Sequence, residues 1–263
     1  MADLAGRVAL ILGGSRGIGR GIALGLARRG ADCVVTYRAD ERAGRAAVAE
    51  VQALGRRGLA LPLDLREPEQ VGVVVERVAK EFSRLDVLVA SAAATAFRPM
   101  LEQKPHNVTK TLAISVQSFV AAVQAAVPLM ASGGRIIVIS GIDSHQAMTG
   151  HGMLGAAKAA MESLVRVLAL ELGERGITVN GVNPGFIETD SSRLYLQQGL
   201  GLDYDAAVER LRRHTPVRRV GRVEDVVPLV EYLASDAASF LTGQTIVIDG
   251  GLTIVSPLTR LED

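Results

Sequence analysis

His151 and Lys158 stand seven positions apart with Leu154 between them, and on a helix all three share one face. An imidazole with an ordinary pKa of about 6.5 is a competent acid near neutral pH. A lysine on an otherwise apolar helix face places a cation where carbon would pack more cheaply. His151 also has a structural reading, because it lies between Gly150 and Gly152 and can end a loop or cap a helix start. Asp143, Ser144 and His145 lie just upstream, but neighbours in sequence seldom converge in triad geometry. His106, His145, His151, His214 and the single Cys33 show no paired ligand spacing, so no metal site is expected.

A second constellation is Gly13-Gly14-Ser15-Arg16-Gly17-Ile18-Gly19. Glycines there allow a tight turn and let backbone N–H groups approach a pyrophosphate, and a helix N-terminus favours its charge. Gly13, Ser15, Arg16, Ile18 and Gly19 are therefore candidate cofactor residues, given a strand before them and a helix after. The end of the second strand carries Tyr37 and Arg38 rather than an acid that would bind a ribose 2′-hydroxyl. Two guanidinium groups, Arg16 and Arg38, favour a 2′-phosphate through charge-assisted hydrogen bonds, which predicts NADP(H) over NAD(H). Asp64 can accept from an adenine amino group or cap the following helix.

Those residues need elements to hold them. Short apolar runs at Arg7–Leu12, Cys33–Tyr37, Gly58–Leu63, Asp86–Ala92, Arg135–Ser140, Thr178–Val182 and Thr245–Asp249 alternate with helical patterns. The helical patterns include Ile18–Arg29, Asp40–Leu54 and Glu69–Phe82. Continuous apolar strands between amphipathic helices mark a parallel sheet covered on both faces. Right-handed crossovers then give an α/β, Rossmann-like, doubly wound fold. No linker or repeat interrupts the pattern, so residues 1–263 read as one domain. The irregular stretch 186–215, with Tyr195 and Tyr204, is placed as a substrate lid between the last two strands, or as a helical excursion that supports oligomer contacts.

Composition narrows the function classes. The formal net charge is +1 and aromatic content is 3% with no Trp, which argues against a nucleic-acid or membrane-interface partner. No targeting segment is visible at the start, and the apolar run from Val116 to Met130 is too short and too interrupted to span a bilayer. One buried-looking cysteine suits a reduced, cytoplasmic setting.

Over essentially its full length the sequence resembles the short-chain dehydrogenase/reductase family. The matching stretches are Gly13–Gly19, Asp64-Leu65, Leu85–Val89, Ala156-Ala157-Lys158-Ala159-Ala160, Asn180–Gly185, Ile187 with Thr189, and Ile248-Asp249-Gly250-Gly251. The resemblance implies that Leu65, Pro184, Gly185, Ile187 and Thr189 border the cofactor, the last two at the nicotinamide amide, with Lys158 on the nicotinamide ribose. It also implies a homo-oligomer, dimer or tetramer, built on the apolar faces of Ala113–Met130 and Met153–Leu170.

The family's chemistry uses a tyrosine one turn before the lysine, helped by a serine after the fifth strand. Here those positions hold Leu154 and Gly141, with Ser140 one place earlier. The asparagine-rich motif after the fourth strand reads Ala90-Ser91-Ala92-Ala93, and the helical asparagine is Ser115. The pattern is closest to the enoyl-acyl-carrier-protein reductase branch, which places its tyrosine two turns before the lysine, and that position is His151. The expected function is NADPH-dependent reduction of an enoyl or other conjugated carbonyl substrate, a small molecule or acyl thioester. His151 and Lys158 are its candidate catalytic residues, with Tyr195 or Tyr204 as a replacement phenol. Alternatives are a non-redox cyclase, dehydratase or isomerase with Asp143, His145 and His151 as acid/base groups, or an inactive NADP(H)-binding protein.

Overall fold

A computed structural model of the chain describes residues 3–94 and 96–256. Seven strands form one sheet: β1 Val8–Leu12, β2 Asp32–Tyr37, β3 Gly58–Pro62, β4 Val87–Ala90, β5 Arg135–Ile139, β6 Thr178–Pro184 and β7 Thr245–Ile248. Their spatial order is β3-β2-β1-β4-β5-β6-β7 and each neighbouring pair is parallel. The expected strands are all present, with ends that differ by one or two residues.

The helices are α1 Gly17–Arg28, α2 Glu41–Ala53, α3 Gln70–Phe82, α4 Pro105–Leu112, α5 Ser118–Ala126, α6 Gly152–Leu172, α7 Asp190–Leu194, α8 Tyr204–His214 and α9 Val223–Ala234. Strand alternation sorts side chains onto two faces. Ala9, Ile11, Val87, Val89, Ile137 and Ile139 pack with α1, α2 and α9. Leu10, Leu12, Leu88, Ala90, Ile136 and Val138 pack with α3, α5 and α6. Burying each large aliphatic side chain contributes about 1.5–3 kcal/mol, which explains why both faces must be covered.

Pro105–Leu129 is one helical run, joined through a π-type turn at Ala113–Gln117. It is long and apolar enough to cross a membrane, a length that the sequence reading missed because it began the run at Val116. Half of its apolar window is buried inside the protein, and Phe119, Ala122, Val123 and Ala126 belong to the sheet-covering core.

Strand order reverses between β1 and β4: the chain leaves β1 toward β2 and β3, then returns to pair β4 with β1 on its other side. The carboxyl ends of the strands part at such a switch point, and ligands bind in the resulting crevice. Between β6 and β7 the stretch 186–215 is helical, with α7, a π-type turn at Tyr195–Gly199, and α8.

Candidate active site

A cleft of about 620 Å³ runs along the carboxyl ends of the strands. Every residue expected at the cofactor from sequence lines it: Gly13, Ser15, Arg16, Ile18, Gly19, Arg38, Asp64, Leu65, Lys158, Pro184, Gly185, Ile187 and Thr189. At its near end β1 turns sharply into α1. Gly13 has φ +77°, and a Cβ there would sit 2.9 Å from Ala92 Cα. Gly19 is packed so closely that a Cβ would lie 2.2 Å from the Gly13 carbonyl oxygen. The first-turn N–H groups of α1 receive no side-chain cap from Arg16, which leaves them available to a phosphate.

Beyond β2, Arg38 and Arg16 are exposed and neither forms a direct ion pair among the described residues, although the Arg38 charge is felt by Asp64. The nearest acid in sequence, Asp40, is engaged as the cap of α2, accepting from Ala43 N at 2.9 Å. Asp64 neither caps α3 nor stands free. Its carboxylate accepts from Arg66 N at 3.0 Å and pairs with the Arg66 guanidinium, which lowers its pKa to about 2. The helix-cap reading of Asp64 is thus replaced by a turn-closing role, because α3 starts only at Gln70. Thr189 lines the cleft while capping α7: its Oγ1 accepts from Ser192 N at 3.2 Å.

At the other end, β5 stops at Ile139 and a loop leads to α6. His151 is the residue before α6, yet its side chain makes no capping bond. Its Nδ1 lies 3.2 Å from Asp143 Oδ2, with both side chains largely buried. An ionised carboxylate only accepts, so Nδ1 carries the proton in this contact. The imidazole stacks on Phe97 (centroids 5.4 Å apart, rings 12° from parallel) and packs against Tyr195 at 3.9 Å. Its Nε2 is buried with no hydrogen-bond partner. Leu154, Met148, Phe186 and Tyr195 extend the apolar lining.

Lys158 is buried on α6 and donates to the Ile139 carbonyl at 2.5 Å. Burial pushes its pKa down to about 8, while Asp143 and Glu162 favour the charged form. One turn further, buried Glu162 binds the loop. Its Oε1 accepts from Ser140 Oγ (2.5 Å), Ser144 Oγ (2.8 Å) and Asn183 Nδ2 (2.8 Å), and its Oε2 lies 3.0 Å from His145 Nε2.

One sequence reading, the replacement phenol, is corrected by these partners, and two other polar groups take partners that the sequence did not name. Asp143 pairs with His151, not with its sequence neighbour His145, because the loop after β5 sends the two side chains to different carboxyl and imidazole partners. The phenols of the stretch 186–215 are engaged: Tyr195 donates to Thr149 O at 3.0 Å and Tyr204 to Glu188 Oε1 at 3.4 Å, so neither is a free replacement donor. Ser140 is held by Glu162 rather than standing in for the serine. Sequence reasoning missed Glu162 and Phe97 altogether. The signal for Glu162 was a carboxylate four residues after Lys158 on an apolar helix face.

The sequence model of the family described as Enoyl-(Acyl carrier protein) reductase matches residues 13–253. The chain is a short-chain dehydrogenase/reductase. It is 40% identical over 251 residues to the 1-cyclohexenylcarbonyl-CoA reductase of Streptomyces collinus, covering 95% of this chain and 88% of that one. It is 32% identical to a hydroxynaphthalene reductase of Aspergillus fumigatus, over 92% of this chain and 90% of that one. A short-chain dehydrogenase from Burkholderia cenocepacia in complex with NADP superposes with a TM-score of 0.87 at 34% identity, covering 95% of this chain and 99% of that one. A short-chain dehydrogenase/reductase from Serratia marcescens gives 0.88 at 31%, with the same coverage. As a reductase of this family the chain uses NADP(H) and acts on a small-molecule substrate.

Proposed function

We propose that this short-chain dehydrogenase/reductase reduces the carbon–carbon double bond of an α,β-unsaturated acyl thioester, with His151 as the proton donor. One observation carries the reading: His151 lines the cleft, and its Nε2 is buried without a hydrogen-bond partner. A buried polar atom left unpaired costs about 1–3 kcal/mol, which a substrate oxygen would relieve. The kinship with a reductase of an enoyl-CoA in Streptomyces collinus supports the same substrate class.

NADPH supplies the hydride when bound. Gly13, Gly19 and the open end of α1 would hold its pyrophosphate, and Arg16 and Arg38 its 2′-phosphate. Leu65, Pro184, Gly185, Ile187 and Thr189 complete its wall, with Lys158 toward the ribose. Hydride added at the β-carbon would send negative charge to the thioester oxygen, where protonated His151 donates from Nε2 to give the enol. The enol becomes the saturated thioester as the α-carbon takes a proton from solvent and the oxygen returns its own to His151. Phe97, Leu154 and Tyr195 line this part of the cleft with apolar surface, which lowers the dielectric in which the imidazolium acts. Conjugate reduction suits this site better than ketone reduction, because the hydride lands on carbon and the oxygen needs only a stabilising donor. The lid over residues 186–215 closes on the site through Tyr195. We further place the protein in the cytoplasm as a homo-oligomer, with exposed Val167 and Leu170 of α6 at a subunit contact.

The test is NADPH oxidation followed at the reduced-nicotinamide band with crotonyl-CoA, 1-cyclohexenylcarbonyl-CoA and simple ketones. Enoyl thioesters are expected to turn over and ketones not, and His151→Ala to lower kcat by about 10²–10⁴-fold. Oxidation that survives His151→Ala removes His151 from the mechanism. NADPH binding without oxidation of any enoyl thioester overturns the substrate class and favours a non-redox role.

A further inference from the structure

The two family positions that hold serine and tyrosine elsewhere are Gly141 and Leu154 here, and the structure fills the first space in an unexpected way. A Cβ built on Gly141 would lie 2.7 Å from Asp143 Oδ1. A side chain at 141 would therefore require the Asp143 carboxylate to shift from this position. The loop backbone is seated just as closely: a Cβ on Gly155, in the first turn of α6, would lie 2.2 Å from the Asp143 carbonyl oxygen. Two glycines thus make room for Asp143, one for its carboxylate and one for its main chain. Its neighbours in the loop are fixed independently, since Ser140, Ser144 and His145 all reach Glu162.

The other Asp143 carboxylate oxygen meets His151 Nδ1 at 3.2 Å. The protonated imidazole donates from both nitrogens, but its ring can flip between two nearly isosteric orientations. A carboxylate on one nitrogen removes this ambiguity and directs the other nitrogen at the reacting atom. Phe97 and Tyr195 restrict the ring plane but do not distinguish the two nitrogens.

We infer that Asp143 is the positioning residue for His151: its carboxylate, standing in the space left by Gly141, holds Nδ1–H and so aims Nε2 into the substrate cleft. The inference rests on the proton-donor reading above. It goes further in assigning the missing serine and tyrosine a joint replacement, an aspartate–histidine pair made possible by a glycine. Asp143 acts through His151.

The test is a double-mutant cycle on the full chain, with NADPH and crotonyl-CoA as the assay pair and thermal melting alongside. Asp143→Asn is expected to lower kcat by about 10–100-fold, as removal of an orienting partner does elsewhere, with the KM for NADPH within about twofold. In a His151→Ala background the same change should cost less than about twofold, because nothing remains to be oriented. A loss of equal size in both backgrounds, or no loss in the wild-type background, overturns the inference while leaving His151 as the donor. A His151→Ala enzyme that keeps wild-type kcat instead overturns the proton-donor reading and the inference with it. Should Asp143→Asn fail to fold, Gly141→Ala serves in its place. Its methyl group displaces the carboxylate, and the same loss of kcat, absent when His151 is alanine, is expected. A Gly141→Ala enzyme that melts normally and keeps wild-type kcat overturns the inference.

Discussion

Removal of the Glu162 carboxylate should unpin the loop that carries Asp143. In Glu162→Leu, Ser140 Oγ, Ser144 Oγ and Asn183 Nδ2 all lose their acceptor at Oε1. Ser140 and Asn183 are themselves buried, so their groups are poorly placed to find water. Each stranded buried group costs about 1–3 kcal/mol. Asn183 Nδ2 keeps a second bond to Ser144 Oγ at 3.0 Å, which moderates the sum. Breaking a buried polar network of this kind by removing one partner costs about 3–5 kcal/mol. For a chain of this size each kcal/mol moves Tm by about 2–4 °C, so a fall on the order of 6–20 °C is expected. Glu162→Gln keeps an acceptor oxygen in the same place and should lose far less. The assay is urea denaturation with thermal melting on both variants, and activity at a temperature where both are folded. If Glu162→Leu loses under about 1 kcal/mol, or if Gln is as damaging as Leu, the buried carboxylate is not what holds this loop.

Two further outcomes test the charges around the cleft. Lys158 has an ordinary pKa of 10.5 that burial lowers to about 8 in the fold. Between those values the unfolded chain binds more protons than the folded one, so this residue makes stability rise with pH across that window. The difference in unfolding free energy between wild type and Lys158→Met should therefore grow by about 3 kcal/mol from neutral pH to pH about 10.5, and parallel profiles would refute the depressed pKa. At the cofactor end, Arg38→Ala should weaken NADPH by about 10–100-fold in Kd while leaving NADH nearly unchanged, from the loss of one charge-assisted bond worth about 1.5–3 kcal/mol. A preference for NADPH that survives the change would move the 2′-phosphate away from Arg38.

The α/β layering was legible because continuous apolar strands and amphipathic helices have different periods, and burial follows the period. Val8–Leu12, buried throughout, and the glycine turn after it could be read directly, since a tight turn into a helix demands glycine whatever surrounds it. The candidate role of His151 was legible too, as the one titratable residue two turns before Lys158. What the sequence left open is which partner each polar group takes. Asp143 lies two residues from His145 and eight from His151, yet it reaches the farther one. Glu162 gathers residues from the loop after β5 and from β6 that are 18 to 22 positions away. Local pattern sets the elements because backbone hydrogen bonding and burial are decided over a few residues. Pairing of buried polar groups is decided where elements meet, and there a missing side chain such as that of Gly141 matters as much as one that is present.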